Sequence, residues 1–126
     1  MKKRNLQPFR SPRQDEYWLG ERIYIRELMN APEESAISLA RFRVPANTTT
    51  QLHTLSITEW YVMEQGACVV EVDGQPVPMK AGDNLKINPG QSQRVINGGD
   101  EELVFQSICV PRWTPQCYTN LEGSID

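Results

Sequence analysis

The chain has 126 residues, of which 39% are hydrophobic and 23% charged, and its formal net charge is -3. This is the size of one domain and the composition of an ordinary globular protein, which excludes disordered and fibrous classes. Its basic residues are scattered, so we expect no nucleic-acid partner, and no apolar stretch approaches the roughly 18 residues of a membrane span, so we expect no membrane partner.

The N-terminus predicts no export signal. Met1 is followed by three basic residues, but prolines and polar residues stand where a signal peptide needs an apolar segment. We therefore expect a cytoplasmic protein. Cys68, Cys109 and Cys117 show no metal-ligand spacing, and an odd number of cysteines without an export signal favours free thiols.

The elements predicted along the chain are short strands separated by turns. Residues 1–16 are polar and rich in Arg, Pro and Gln, which predicts an N-terminal arm. Strands are expected where β-branched and aromatic residues cluster over short runs. These runs lie at residues 22–26, 37–44, 52–57, 60–63, 68–72, 85–87, 93–96 and 103–110.

Turn residues divide these strands. Asp73 and Gly74 give the strongest hairpin pattern, because Asp-Gly suits a turn with positive φ, and residues 79–83, 88–90 and 97–100 predict further turns. No segment shows sustained helical periodicity. The chain is therefore predicted to be an all-β sandwich or barrel over residues 17–112.

Residues 113–126 form a predicted C-terminal tail. The tail carries Trp113 and Tyr118 between polar residues. We expect these aromatic side chains to pack on the outside of the barrel or on a partner subunit.

Two blocks of residues carry a family resemblance. They contain, in order, His53, Leu55, Glu59 and Gly66, and then Gly82, Asp83, Asn88, Pro89, Gly90, Gln93 and Asn97. In type and spacing these blocks resemble the two motifs of the cupins, over roughly residues 37–112, and the chain is similar to small single-domain cupins of the mannose-6-phosphate-isomerase-like type. The resemblance implies a cupin double-stranded β-helix, a small jelly-roll-like barrel.

The blocks depart from the cupin pattern at two metal-ligand positions, and Pro89 stands one place after the proline position of the second motif. Metal-binding cupins use two histidines and a glutamate of the first block and a histidine of the second. Here Leu55 and Gln93 replace two of these four ligands. By resemblance, His53, Glu59 and Gln93 are the predicted metal ligands, and Zn, Fe, Mn, Ni or Cu suits such donors. In the alternative interpretation these side chains hydrogen-bond to one another in a polar patch.

Strand alternation extends the candidate site. A period of two puts His53 and Leu55 on one face, which in a cupin is the lumen of the barrel. Tyr61 follows Glu59 in the same phase and is the candidate catalytic residue, either as an acid or as aromatic filler. Trp60 should then face the opposite side.

Several other residues have two interpretations. Cys109, in phase with Phe105 and Ser107, and Gln51, two residues before His53, are candidates to compensate for Leu55. Four arginines are candidates for a carboxylate or phosphate clamp at the barrel mouth, with surface ion pairing as the alternative. They are Arg41, Arg43, Arg94 and Arg112.

Three functions stay open on the sequence alone. The first is a metal-assisted isomerase, lyase or dioxygenase acting on a sugar or small acid. The second is a non-catalytic, metal-free module that binds a small molecule, which the hydrocarbon of Leu55 favours. The third is a structural barrel whose role is assembly. We expect a homodimer in each case.

Overall fold

The computed structural model describes residues 6–123. Within them the chain forms twelve β-strands and one short 3-10 helix. The strands are β1 (Tyr17–Trp18), β2 (Tyr24–Met29), β3 (Ser38–Val44), β4 (Thr48–Thr49), β5 (His53–Leu55), β6 (Thr58–Gln65), β7 (Ala67–Val72), β8 (Gln75–Lys80), β9 (Asn84–Ile87), β10 (Ser92–Asn97), β11 (Leu103–Val110) and β12 (Tyr118–Asn120), and the 3-10 helix is Pro115–Cys117. None of the helices in this part of the chain is long and apolar enough to cross a bilayer.

The strands form two antiparallel sheets that enclose a lumen. The first sheet has the order β1-β2-β3-β11-β6-β9, and the second has the order β12-β5-β10-β7-β8, with β4 paired to β10. Neighbours in space are mostly distant in sequence, as in a jelly roll. The predicted all-β, jelly-roll-like barrel is confirmed.

The inward faces of both sheets make the core. Along β11 the side chains of Leu103, Phe105 and Ser107 are buried, and the exposed fraction of Phe105 is 1%. The Phe105 ring stacks on Phe42 of β3 at 5.4 Å and packs on Tyr61 of β6 at 4.7 Å. Truncating such a buried ring costs about 3–5 kcal/mol, so this strand ties together the centre of the first sheet.

The predicted Asp73-Gly74 hairpin is confirmed. Both residues have positive φ, 50° and 78°, and they connect β7 to β8 with Val72 paired to Gln75. A two-residue hairpin turn with positive φ at both positions matches the right-handed twist of the flanking strands.

Strand β8 was not predicted, because Pro76 and Pro78 interrupt its pattern. It lies at the edge of the second sheet. A two-residue loop makes Val72 and Gln75 a hydrogen-bonded pair, so residues 76 and 78 present their backbone nitrogens away from β7. Proline lacks the N–H donor and is therefore tolerated at these two positions.

The C-terminal tail joins the barrel. Its strand β12 pairs with β5, Tyr118 opposite Leu55 and Asn120 opposite His53. Arg22, in the loop between β1 and β2, donates to Thr49 O at 2.6 Å and to the Glu122 carboxylate at 2.6 Å. The tail therefore packs on the β5 edge, and it is linked to the first hairpin of the chain.

Candidate functional site

The space between the sheets is a cavity with a volume of about 120 Å³. One water occupies roughly 10–15 Å³ on this measure, so the cavity has room for about ten non-hydrogen atoms. The first hairpin builds one wall with every second residue of its sequence. These residues are Tyr17, Leu19, Glu21, Ile23, Ile25 and Glu27. Further lining residues come from β3, β5, β6, β10, β11 and the tail.

Glu59 lies in this wall on β6 and is 6% exposed. Its Oε2 accepts a hydrogen bond from the Ser107 hydroxyl and lies 3.9 Å from the Cys109 Sγ. Its Oε1 is buried without a hydrogen-bond partner in the protein. Burial raises the pKa of Glu59 to about 7, although the Ser107 hydroxyl and the Gln93 amide counteract part of this rise. Near neutral pH this carboxyl can therefore give or take a proton.

Tyr61 and Gln93 form a buried pair beside Glu59. The Tyr61 hydroxyl donates to Gln93 Oε1, and the two side chains are 4% and 1% exposed. Burial, together with the charge of Glu59, raises the pKa of Tyr61 well above its ordinary value. Tyr61 is therefore a neutral hydrogen-bond donor that holds the Gln93 side chain in place.

His53 belongs to a neighbouring group. Its Nδ1 lies 2.8 Å from Gln51 O, and since a carbonyl oxygen only accepts, Nδ1 carries the proton. The imidazole stacks on the Tyr118 ring at 4.7 Å, and the Tyr118 hydroxyl donates to Gln51 Oε1. Burial lowers the pKa of His53, which favours the neutral ring with an unprotonated Nε2.

Several predicted placements agree with the structure. His53 and Leu55 both line the cavity, as strand alternation predicted, and Tyr61 follows Glu59 on the same wall. Cys109 lines it too, but burial raises the pKa of its thiol to about 12, so the thiol is not activated as a nucleophile. Trp60 is 39% exposed on the opposite face.

The sequence analysis missed Glu21 and the tail residues Trp113 and Tyr118 as lining residues. Glu21 lies in the loop after β1, and Tyr118 was expected outside the barrel or on a partner subunit, whereas β12 carries it to the cavity. The alternation of residues 17–27 is the pattern that could have identified Glu21. The position of Tyr118 depends on pairing between strands that are distant in sequence.

The four candidate arginines all have partners other than a bound ligand. Three of them form ion pairs and Arg112 hydrogen-bonds to an amide. The pairs are Arg41 with Glu64 at 3.3 Å, Arg43 with Glu16 at 2.6 Å, Arg94 with Glu71 at 3.1 Å, and Arg112 with Asn30 at 2.7 Å. The clamp hypothesis therefore has no support from the observed side-chain contacts.

Of the three predicted metal ligands, His53 and Glu59 line the cavity, whereas Gln93 is not among its lining residues. Gln93 Oε1 accepts from Tyr61 and Glu59 Oε2 accepts from the Ser107 hydroxyl, whereas Glu59 Oε1 and His53 Nε2 have no donor in the described part of the chain. Over residues 6–123, no three His, Cys, Asp or Glu side chains lie close enough together to hold a metal ion. The set of His53, Glu59 and Gln93 as metal ligands stays a prediction.

Solved structures with similar folds come from proteins of different activities. Pac13 of Streptomyces, a nucleoside dehydratase, has a TM-score of 0.76 at 12% identity, covering 91% of this chain and 92% of its own. The polyketide cyclase RemF of Streptomyces resistomycificus has a TM-score of 0.78 at 16% identity, covering 96% and 89%. A predicted oxalate decarboxylase of Thermotoga maritima has a TM-score of 0.65 at 27% identity, covering 71% and 80%.

The family comparison covers more than half of the chain. No curated protein matches the sequence significantly. The family model described as Cupin domain, Cupin_2, matches residues 40–111, from β3 to the residue after β11. With the two sheets and the lumen described above, this match shows that the chain belongs to the Cupin_2 family.

Proposed function

We propose that the chain binds a small organic molecule in its cavity and that Glu59 transfers a proton to or from this molecule, in a lyase or isomerase type of reaction. The observation that carries the proposal is the state of the Glu59 carboxyl. Its pKa lies at about 7 and its Oε1 has no partner in the protein. A general acid or base works best when its pKa is close to the operating pH.

The surroundings of Glu59 suit this role. Ser107 donates to one carboxyl oxygen, and the other, Oε1, has no donor in the protein. Tyr61 and Gln93 form a polar pair next to the carboxyl. We propose that the Tyr61 hydroxyl positions the Gln93 amide. Apolar side chains make up most of the remaining wall, and an apolar environment strengthens electrostatic interactions inside the cavity.

The activities of the structural neighbours agree with proton-transfer chemistry. Removal of water from a nucleoside and closure of a polyketide ring both need a proton to be moved at carbon or oxygen, and the two enzymes share the barrel with this chain. At these identities the likeness extends to the fold alone. The neighbours therefore show that this barrel can carry such chemistry, and they indicate neither the reaction nor the substrate of this chain.

The test is a pH titration of the protein with 13C-labelled glutamate, followed by NMR on the wild type and on Glu59→Gln. We expect one carboxyl resonance that titrates near pH 7 and is missing in the variant. Glu33→Gln is the matched control, since Glu33 is exposed, and it should leave the resonance that titrates near pH 7 in place. A Glu59 carboxyl that titrates near 4.5 would overturn the proposal.

Metal assistance is the second candidate, supported by the family pattern at His53 and Glu59. Elemental analysis of untagged protein, repeated on His53→Ala, distinguishes metal assistance from proton transfer by Glu59 without a metal. Near-stoichiometric metal that disappears in the variant would replace the proton-transfer proposal with a metal-assisted one. The mannose-6-phosphate-isomerase-like subtype, the cytoplasmic location, the homodimer and the exclusion of nucleic-acid and membrane partners stay predictions from the sequence.

A further inference from the structure

The charged side chains in the cavity wall are all carboxyl groups. Three glutamates line the cavity, Glu59 from β6 and Glu21 and Glu27 from the first hairpin. Glu27 lies opposite Ala40 and Ala40 opposite the buried Ser107, so Glu27 shares their inward face. In the described part of the chain no lysine or arginine lines the cavity, and none of the three glutamates forms an ion pair. The wall therefore offers an acidic ligand no cation to bind and like charge to oppose it.

Most of the neutral polar side chains in the wall already have hydrogen-bond partners within the protein. They are Asn30, Ser38, Thr50, Gln51, Tyr61, Ser107 and Tyr118. The Thr50 hydroxyl, for example, accepts from Val95 N at 2.8 Å, and the Ser38 hydroxyl accepts from Trp113 N at 2.9 Å. A ligand with many hydroxyls would lose its hydrogen bonds to water and find few replacements here.

The rest of the wall is hydrocarbon and aromatic. It includes the rings of Phe42 and Phe105 and the side chains of Ile25 and Leu55, and Ala40 of β3 contributes only a methyl group. The volume of about 120 Å³ leaves room for about ten non-hydrogen atoms between them. The space therefore suits a body the size of one six-membered ring, held by apolar contacts.

We propose that the cavity selects a non-acidic molecule with an apolar body of about ten non-hydrogen atoms or fewer, such as a single ring with one polar substituent. The proposal names the substrate class for the proposed function and rests on its placement of the ligand in the cavity. It differs from the sugar or small acid expected from the sequence. A sugar would leave hydroxyls without partners, and an acid would meet the three glutamates.

The test compares four probes by NMR titration of the protein at about pH 8, where benzoate is ionised. Benzamide and benzoate have the same shape, with about nine non-hydrogen atoms each, and differ in charge. Xylose has a similar size but a hydroxyl on most of its carbons, and 1-naphthamide carries the amide on a two-ring body larger than the cavity. We expect benzamide to bind, benzoate to bind at least about tenfold more weakly, and xylose and 1-naphthamide to show no measurable affinity.

A double variant tests the exclusion of acids. Glu21→Gln combined with Glu27→Gln keeps the shape of the wall and removes two carboxyl groups. We expect it to raise the affinity for benzoate about tenfold and to leave the affinity for benzamide within about twofold. The matched control, Glu33→Gln with Glu34→Gln, removes the same charge from an exposed turn and should change neither affinity.

Filling the cavity tests whether benzamide occupies it. Ala40→Leu adds about three carbon atoms to a space for about ten, so the affinity for benzamide should fall at least about tenfold, and Ala40→Val should give a smaller loss. Ala67→Leu makes the same change at an exposed position and should leave the affinity unchanged. Melting temperatures of the variants show that each is folded.

Several outcomes contradict the proposed selectivity. They are binding of benzoate or xylose as tight as that of benzamide, binding of 1-naphthamide, and no binding of any probe. Wild-type affinity for benzamide in both folded Ala40 variants contradicts it as well. The titration of Glu59 is a separate measurement, so a carboxyl that titrates near pH 7 would still support proton transfer in each of these cases.

Discussion

Replacing Glu59 by glutamine should stabilise the protein at about pH 8 and change its stability little at about pH 5. The folded state holds the Glu59 proton up to a pKa of about 7, whereas the unfolded chain loses it near the ordinary value of 4.5. Between these values the folded state binds more protons, so the free energy of unfolding falls as the pH rises. Glutamine stays neutral and avoids this loss, while its amide oxygen still accepts from Ser107.

The size of the effect follows from the two pKa values. A difference of about 2.5 corresponds to an upper limit of about 3 kcal/mol, nearly all of it present at pH 8 and less than about 1 kcal/mol of it at pH 5. Urea unfolding at both pH values measures the difference between variant and wild type. Glu33→Gln, at an exposed position, should show no such pH dependence. An equal Glu59→Gln effect at both pH values would refute the reasoning.

Three further predictions concern stability and titration. Tyr61→Phe should lower the free energy of unfolding, measured with urea, by about 1–3 kcal/mol, since it leaves the buried amide oxygen of Gln93 without its donor. An unchanged free energy of unfolding would contradict the hydrogen bond between Tyr61 and Gln93. Gly66→Ala should lower the melting temperature more than Gly74→Ala. Both glycines have positive φ, 88° and 78°, but a Cβ at Gly66 would lie 3.1 Å from a backbone carbonyl oxygen, whereas a Cβ at Gly74 meets nothing within 4 Å. His53, the one histidine of the chain, should titrate below 6.5 by NMR, because burial disfavours its charged form; a higher value would show that the ring is solvated or paired with a charge.

The fold was predictable where local sequence determines it. The predicted strand at residues 103–110 coincides with β11, because its β-branched and aromatic residues favour a pleated, buried strand. The turn at Asp73 and Gly74 was predictable for a similar reason, since its backbone conformation suits those two residues. Strands β1, β4 and β12 have only two or three residues each. Such short strands form by pairing with neighbours that are distant in sequence, and their own residues do not indicate them.

The candidate site was predictable only in part. Alternation placed His53, Glu59 and Tyr61 on inward faces, and all three line the cavity. Alternation does not tell which inward side chains meet. His53 turns to the backbone carbonyl of Gln51, and the carboxyl of Glu59 turns to Ser107 on another strand. These contacts depend on register between strands, which the spacing of motifs does not determine.

The two prolines of β8 have a consequence for assembly. Pro76 and Pro78 remove the outward N–H donors of this edge strand at two successive positions. A strand from another molecule would lack two hydrogen bonds on joining the sheet here, so the prolines disfavour β-augmentation and edge-to-edge aggregation at this edge. For the homodimer predicted from the sequence, we therefore expect an interface at another edge or an outer face of the barrel rather than a continuous sheet across β8.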